Sequence, residues 1–282
     1  MFRNITPVVQ NLLLINIAVF LVANFVFPPL NEWFALYNIQ RSYFKPFPFL
    51  SYMFMHAAIW HLFSNLFGLL IFGPLLEQFL GPKKLFILWM VSGMGAGVLY
   101  SGYTLVQYRT MEEKVLAFEA NPDPEYFNRL VIENRSYFSP EVFDFVDQYS
   151  RNPEDPMNIE RAEQTLNTIL ELQVNQPMVG ASGALFGILI AFGMLFPNTQ
   201  LFLLFPPIPI KAKYMVLFYG LYSVYNVLLT SPTDNVAHFA HLSGLVVGAI
   251  LVYFWKKNRN SFYRYVFELL GQFKKRNQPA GQ

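Results

Sequence analysis

Six separate runs in this chain, at approximately 11–29, 58–80, 85–106, 178–196, 214–230 and 236–255, are each apolar over about the length of a bilayer-spanning helix. A hydrocarbon core about 30 Å thick takes roughly 20 apolar residues per helix. Inside it a backbone must satisfy its own hydrogen bonds, which makes helices the choice for runs of this length. With 54% hydrophobic residues and only 13% charged, the chain is too apolar for an ordinary soluble domain. The reading is an all-α polytopic membrane protein, a bundle of six transmembrane helices. No Arg- and Ser-rich transit segment precedes the first run and no convincing cleavage site comes after it, so that run reads as a retained membrane helix. Between the fourth and fifth runs, "LFLLFPPIPI" is apolar but too short and too rich in proline to span. It predicts a reentrant or interfacial connection.

Orientation follows from the basic residues, which concentrate in cytoplasmic loops. With the N-terminus inside, the inner segments hold Arg3, Lys83 and Lys84, Lys211 and Lys213, and the cluster from Lys256 to Arg276. Of the short outer loops only the first is basic, through Arg41 and Lys45. Both termini are therefore expected in the cytoplasm. Residues 107–176 differ from everything around them: six basic and fourteen acidic residues make them net −8, against +10 for the remainder. The expected organisation is 1–106 with spans one to three, 107–176 as an acidic extracytoplasmic helical insert, 177–255 with spans four to six, and 256–282 as a basic cytoplasmic tail.

Within the insert, "SPEVFDFVDQY" predicts a helix capped by Ser139, and "NIERAEQTLNTILELQ" a second, amphipathic helix from Asn158. A solvated helical cap is preferred to a dedicated substrate gate. In the tail, Phe262, Val266, Leu270 and Phe273 form one stripe beside basic residues, as an interfacial helix requires.

In this topology spans two, four and six all run inward from the outer face, so their N-terminal ends share one level. They carry "WHLFSN" with His61 and Asn65, "GASG" with Ser182, and "NVAHFAHLSG" with His238 and His241. Polar and ionisable residues are expensive inside a membrane and mark functional sites. Counting helical rise from Pro177 puts Ser182 roughly 7 Å below the start of its span, shallow enough for a water-filled pocket. Such a set suits acyl transfer. A serine hydroxyl needs a base within hydrogen-bond reach, and His238 is suited to the role. The Ser182 N–H, with His61 and Asn65 on one helical face, could meet a developing oxyanion. Gly183, Gly187 and Ala191, and likewise Ala240, Gly244 and Gly248, repeat every four residues and would let the fourth and sixth spans pack closely. Gly180, Gly183 and Gly244 are read as packing residues near the site. Cysteine is absent and there are four histidines, which leaves little material for a metal site, and no nucleic-acid partner is expected.

These residues resemble the rhomboid family of intramembrane serine proteases, over about 45–106 and 177–255. "HLFSN" looks like the family's H-x-x-x-N element, "GASG" like its G-x-S-G nucleophile motif, and "AHFAHLSG" like its histidine motif. The resemblance implies a rhomboid-like core, a Ser182–His238 dyad with no third carboxylate, and oxyanion donors from His61, Asn65 and the Ser182 backbone. It assigns the base to the first histidine of the pair, leaves His241 to packing, gives Asp234 no catalytic part and implies no cofactor. It implies transmembrane protein substrates, single-pass and cleaved near the outer face, in a multi-pass protein of the lipid bilayer, here expected in a bacterial cytoplasmic membrane. The chain departs from many relatives in lacking a tryptophan-arginine pair in the first outer loop and in the length of its acidic insert. The alternative reading is a non-catalytic rhomboid-like protein that binds or destabilises transmembrane helices. A small transporter is disfavoured, because the chain shows no internal repeat and Glu77, the one acidic residue within a span, reads as structural.

Overall fold

The computed structural model describes residues 5–42, 44–202, 208–229 and 238–276, without the side chains of Ser136, Leu229 and 258–276; Asp234 and the side chains of the tail's apolar stripe lie outside what it describes. α1 (Pro7–Leu21) continues as a π-helical turn, Val22–Val26. The connection after it carries two short helices, α2 (Leu30–Phe34) and α3 (Pro48–Ser51). α4 (Ile59–Leu80) is succeeded at once by the long α5 (Pro82–Ala120). Then come α6 (Pro124–Glu133), α7 (Glu141–Arg151) and α8 (Pro156–Asn175). α9 (Ser182–Leu195) leads to two short strands, and α10 (Ala212–Leu229) and α11 (His238–Arg276) complete the order.

Four of these helices are long and apolar enough to cross a membrane: Pro7–Val26, Ile59–Leu80, Pro82–Ala120 and His238–Lys257. The other two expected spans are helices as well, but shorter. α9 has 14 residues, about 21 Å at ~1.5 Å per residue, and α10 has 18. The helix expected over 178–196 starts only at Ser182. Upstream of it the chain is extended, because Met178 and Leu36 exchange backbone hydrogen bonds of 2.8 and 3.0 Å and Gly180 turns the chain with φ +120°. Depth counted by helical rise from Pro177 therefore does not apply to the serine. The "LFLLFPPIPI" stretch ends in two paired strands: β1 (Gln200–Phe202) runs antiparallel to β2 (Pro209–Lys211), Gln200 opposite Lys211. A short ribbon satisfies backbone groups that the prolines keep out of a helix.

α9 is the centre of the bundle, packed against α11, α5, α4 and α10. Its small residues permit this. A Cβ on Gly244 would run into the Gly183 carbonyl, and one on Gly248 would come within 2.7 Å of the Gly187 Cα. The two expected stripes of small residues therefore interlock, holding α9 and α11 at backbone contact, where dispersion contributes most between membrane helices.

At the opposite end of α4, Glu77 is 4% exposed and serves the start of α1. Its carboxyl oxygens accept hydrogen bonds from Thr6 Oγ1, from the Val8 N–H at 3.0 Å and from the Val9 N–H at 3.1 Å. The first turn of a helix has N–H groups with no partner of its own, and Thr6 makes no side-chain cap; the capping group comes instead from a residue about seventy positions away. Glu77→Ala strands these donors in an apolar setting and is expected to destabilise the protein by about 2–4 kcal/mol, read as a lowered unfolding midpoint in detergent. An unchanged midpoint would show that water replaces the carboxyl.

The acidic insert is more than a solvated cap. α5 runs unbroken through residues 106 and 107 and out of the bundle, and with α6, α7 and α8 it encloses a second hydrophobic core. Phe118, Phe127 and Tyr149 are fully buried there, with Phe127 edge-on to Phe145 at 5.6 Å and to Tyr149 at 5.7 Å. Asp123 caps α6 through the Tyr126 N–H at 2.8 Å, and Asp155 caps α8 through the Met157 N–H at 3.0 Å. α7 begins at Glu141 with Pro140 at its N-cap, one residue later than a Ser139 cap predicts. The insert's acidic residues cover the outside of a core of aromatic and aliphatic side chains.

Candidate active site

Three helices and one extended segment bring the site together. Gly180 needs its positive φ, which side chains of L-residues disfavour, and it has no room for a Cβ: one there would lie 2.5 Å from His61 Nε2 and 3.8 Å from Asn65 Nδ2. The Gly180 N–H donates to the Tyr52 carbonyl at 3.0 Å, and the Tyr52 hydroxyl donates to the Gly93 carbonyl on α5 at 2.7 Å. The turn before Ser182 is thus tied to the connection between α1 and α4 on one side and faced by His61 and Asn65 on the other. Immediately after it Ser182 opens α9, where first-turn N–H groups and the helix dipole favour negative charge.

Ser182 Oγ is hydrogen-bonded to His241, whose Nε2 lies at 2.8 Å. The histidine seen hydrogen-bonded to the serine is therefore His241, which sequence reasoning gave to packing while expecting the base at His238. His238, 8% exposed, lies one turn earlier, edge-on to the His241 ring with centroids 5.8 Å apart and edge-on to Tyr222 at 5.5 Å. The reason is rotational. At about 100° per residue, His241 stands some 60° around α11 from Gly244, whereas His238 stands some 120° away. Since Gly244 presses on Gly183, the nearer histidine faces α9. The stripe of small residues held that information, and its phase relative to the two histidines was the missed signal.

The His241 ring is also held in plane. The His241 ring stacks on Phe186 at 4.2 Å with 9° between the planes, and Phe186 is four residues after Ser182 and so on the same helical face. Phe239 in turn stacks on Tyr103 of α5 at 4.2 Å, which fastens the first turn of α11. Sequence reasoning found neither Phe186 nor Tyr52, because an aromatic residue at helical spacing looks like ordinary core.

His61 and Asn65, expected as donors, both face the Gly180 turn. Asn65 is 3% exposed and its Nδ2 donates to the His61 carbonyl at 3.0 Å, a bond within its own helix that a ligand oxygen would have to compete with. Gly183 and Gly244 lie at the contact between α9 and α11, and Gly180 forms the turn itself.

The fourth histidine, His56, was not anticipated. It precedes α4, is 1% exposed, and its ring meets His61 edge-on at 5.1 Å. Burial, reinforced by the neighbouring His61, lowers its pKa from 6.5 to about 4. A histidine whose folded pKa is depressed contributes stability that is fully present above pH 6.5 and is lost as the pH falls toward 4, because only the unfolded chain takes up the proton in that window. The contribution is about 3 kcal/mol at most. The unfolding midpoint should fall between pH 6.5 and 4, and His56→Gln should remove most of that slope. A slope unchanged in the variant would assign it to another group.

Among the described residues there is no cluster of histidine, aspartate or glutamate that could hold a metal ion. In comparison with known proteins, residues 43–110 and 162–258 match the family model described as Rhomboid domain, together more than half of the chain. The unmatched gap lies within the acidic insert. No curated protein matches the chain.

Proposed function

The chain belongs to the rhomboid family, is a multi-pass integral membrane protein, and from that premise we propose that it is an intramembrane serine endopeptidase working through Ser182 and His241. The observation that carries this reading is the 2.8 Å hydrogen bond between Ser182 Oγ and His241 Nε2, formed where α9 and α11 meet at backbone contact. His241 takes the hydroxyl proton as Oγ attacks the scissile carbonyl carbon. Negative charge then collects on the carbonyl oxygen, next to the first-turn N–H groups of α9 and in front of His61 and Asn65. One such donor is worth about 3–4 kcal/mol in the transition state. Collapse breaks the C–N bond, and the proton on His241 passes to the leaving amine. A water then gives its proton to His241, attacks the acyl-serine carbon and releases the second product with the serine restored. No carboxylate is assigned to orient the base; the stack on Phe186 does so.

Under this reading the protein crosses a bacterial inner membrane six times with both termini in the cytoplasm, and its substrates are single-pass transmembrane proteins cut near the outer face. The family also holds inactive members, so the competing reading is a helix-binding protein without catalysis. Retention of the serine, of a histidine bonded to it and of a glycine turn free of side chains favours the enzyme. The test is labelling of the detergent-purified chain by a fluorophosphonate probe. Labelling of the wild type that is lost in both Ser182→Ala and His241→Ala supports the dyad. If the wild type stays unlabelled while an active family member labels in parallel, helix binding becomes the reading.

A further inference from the structure

The connection between α1 and α4 holds a cavity of about 290 Å³, lined by Glu32, Trp33, Tyr37, Arg41, Phe44 and Lys45 among others. Arg41 and Lys45 are the only arginine and lysine of residues 27–58. The Arg41 guanidinium lies 3.8 Å over the Tyr37 ring, and one of its nitrogens, Nη2, contacts Glu32 Oε1 at 2.8 Å. A guanidinium has five N–H donors, so this anchoring leaves most of them available. Lys45 is exposed and, among the described residues, pairs with no carboxylate. Two cations against one carboxylate leave the cavity one positive charge in excess.

Its rim has the opposite character. Trp33 is 52% exposed and packs edge-on to Phe27 at 5.4 Å, continuing the apolar surface that α1 presents through Phe25 and Val26, each 75% exposed. A cationic pocket opening directly onto a lipid-facing surface calls for a ligand with an anionic head and an apolar body. Ligand pockets run from about 300 to 1,000 Å³, so this one has room for a phosphate-bearing head but none for acyl chains, which the apolar rim accommodates instead.

We propose that this cavity binds the headgroup of an anionic phospholipid, its phosphate between Arg41 and Lys45. Occupation would also steady the site. Leu36, just past the cavity, bridges to Met178, and α3 leads into Tyr52, which holds the Gly180 N–H. The lipid therefore braces the segment from which the nucleophile turn hangs.

Native mass spectrometry of the full chain in detergent, titrated with phosphatidylglycerol or phosphatidylcholine, tests the proposal without reference to catalysis. Phosphatidylglycerol should be retained at least about tenfold more strongly by the wild type and equally by Ser182→Ala. Lys45→Gln should lose that preference, while Lys83→Gln, outside this cavity, should keep it. Equal retention of the two lipids, or a preference that survives Lys45→Gln, would overturn the proposal. So would displacement of the lipid by inorganic phosphate at similar concentration, which would make the cavity a site for a free anion. Because binding is the readout, an inactive protein that still selects phosphatidylglycerol would sink the protease reading alone.

Discussion

Replacing His241 with alanine is expected to lower substrate cleavage by about 10⁴-fold or more, while His238→Ala stays within about tenfold of wild type. The asymmetry follows from which ring reaches the serine. His241 Nε2 sits 2.8 Å from Oγ, and removing the base of a serine nucleophile typically forfeits several powers of ten, each decade being about 1.4 kcal/mol of barrier. His238 meets the ring of His241 and that of Tyr222, so its loss loosens the packing around the base and leaves proton transfer intact. Cleavage of a model transmembrane substrate, with folding of each variant checked by its unfolding midpoint, separates the two. Should His238→Ala be the inactive one with His241→Ala still cleaving, the working geometry would differ from the one seen and the base would revert to the earlier histidine.

The second large effect belongs to a residue with no side chain. Gly244→Ala puts a methyl group into the Gly183 carbonyl, and a backbone group cannot rotate aside as a long side chain can. α9 and α11 must separate. Overpacking of this kind costs about 1–3 kcal/mol and sometimes more, and here the stability loss is coupled to chemistry, because Gly183 is the residue after Ser182 and Gly244 lies one turn beyond His241. A displacement near 1 Å is enough to lose about 10²-fold in rate. Gly244→Ala is therefore expected to lower both the unfolding midpoint and the cleavage rate, the latter by at least about 10²-fold. Gly102→Ala on α5 meets nothing within 4 Å and should leave both unchanged. If the two variants behave alike, the close approach of α9 and α11 is not what holds the site.

Much of the site is legible in the sequence. His61, Asn65 and Ser182 stand out as polar residues in apolar runs, and the small-residue stripes announce close packing, because burying polar groups and bringing backbones together both demand particular residue types. The insert is legible only in its charge. Its core depends on Phe118, Phe127, Phe145 and Tyr149 meeting from different helices, contacts with no local periodicity. The start of α9 escapes sequence reasoning for a related reason. Residues 178–181 carry no charge and no proline, and it is the pairing of Met178 with Leu36, distant in sequence, and the turn at Gly180 that hold off the helix until Ser182.

The sequence by itself determined the medium, the helical class and the residue types available for chemistry, since an apolar run of some twenty residues has few stable states outside a bilayer and polar residues within it are conspicuous. Which histidine faces Ser182, which glycine must turn the chain and which carboxyl caps α1 were decided by tertiary structure. Each depends on how far one helix is rotated about its axis and how near it comes to another. Those two quantities are set by the contact of Gly244 with Gly183, of Gly180 with His61 and of Glu77 with Val8 and Val9, between residues that only folding brings together.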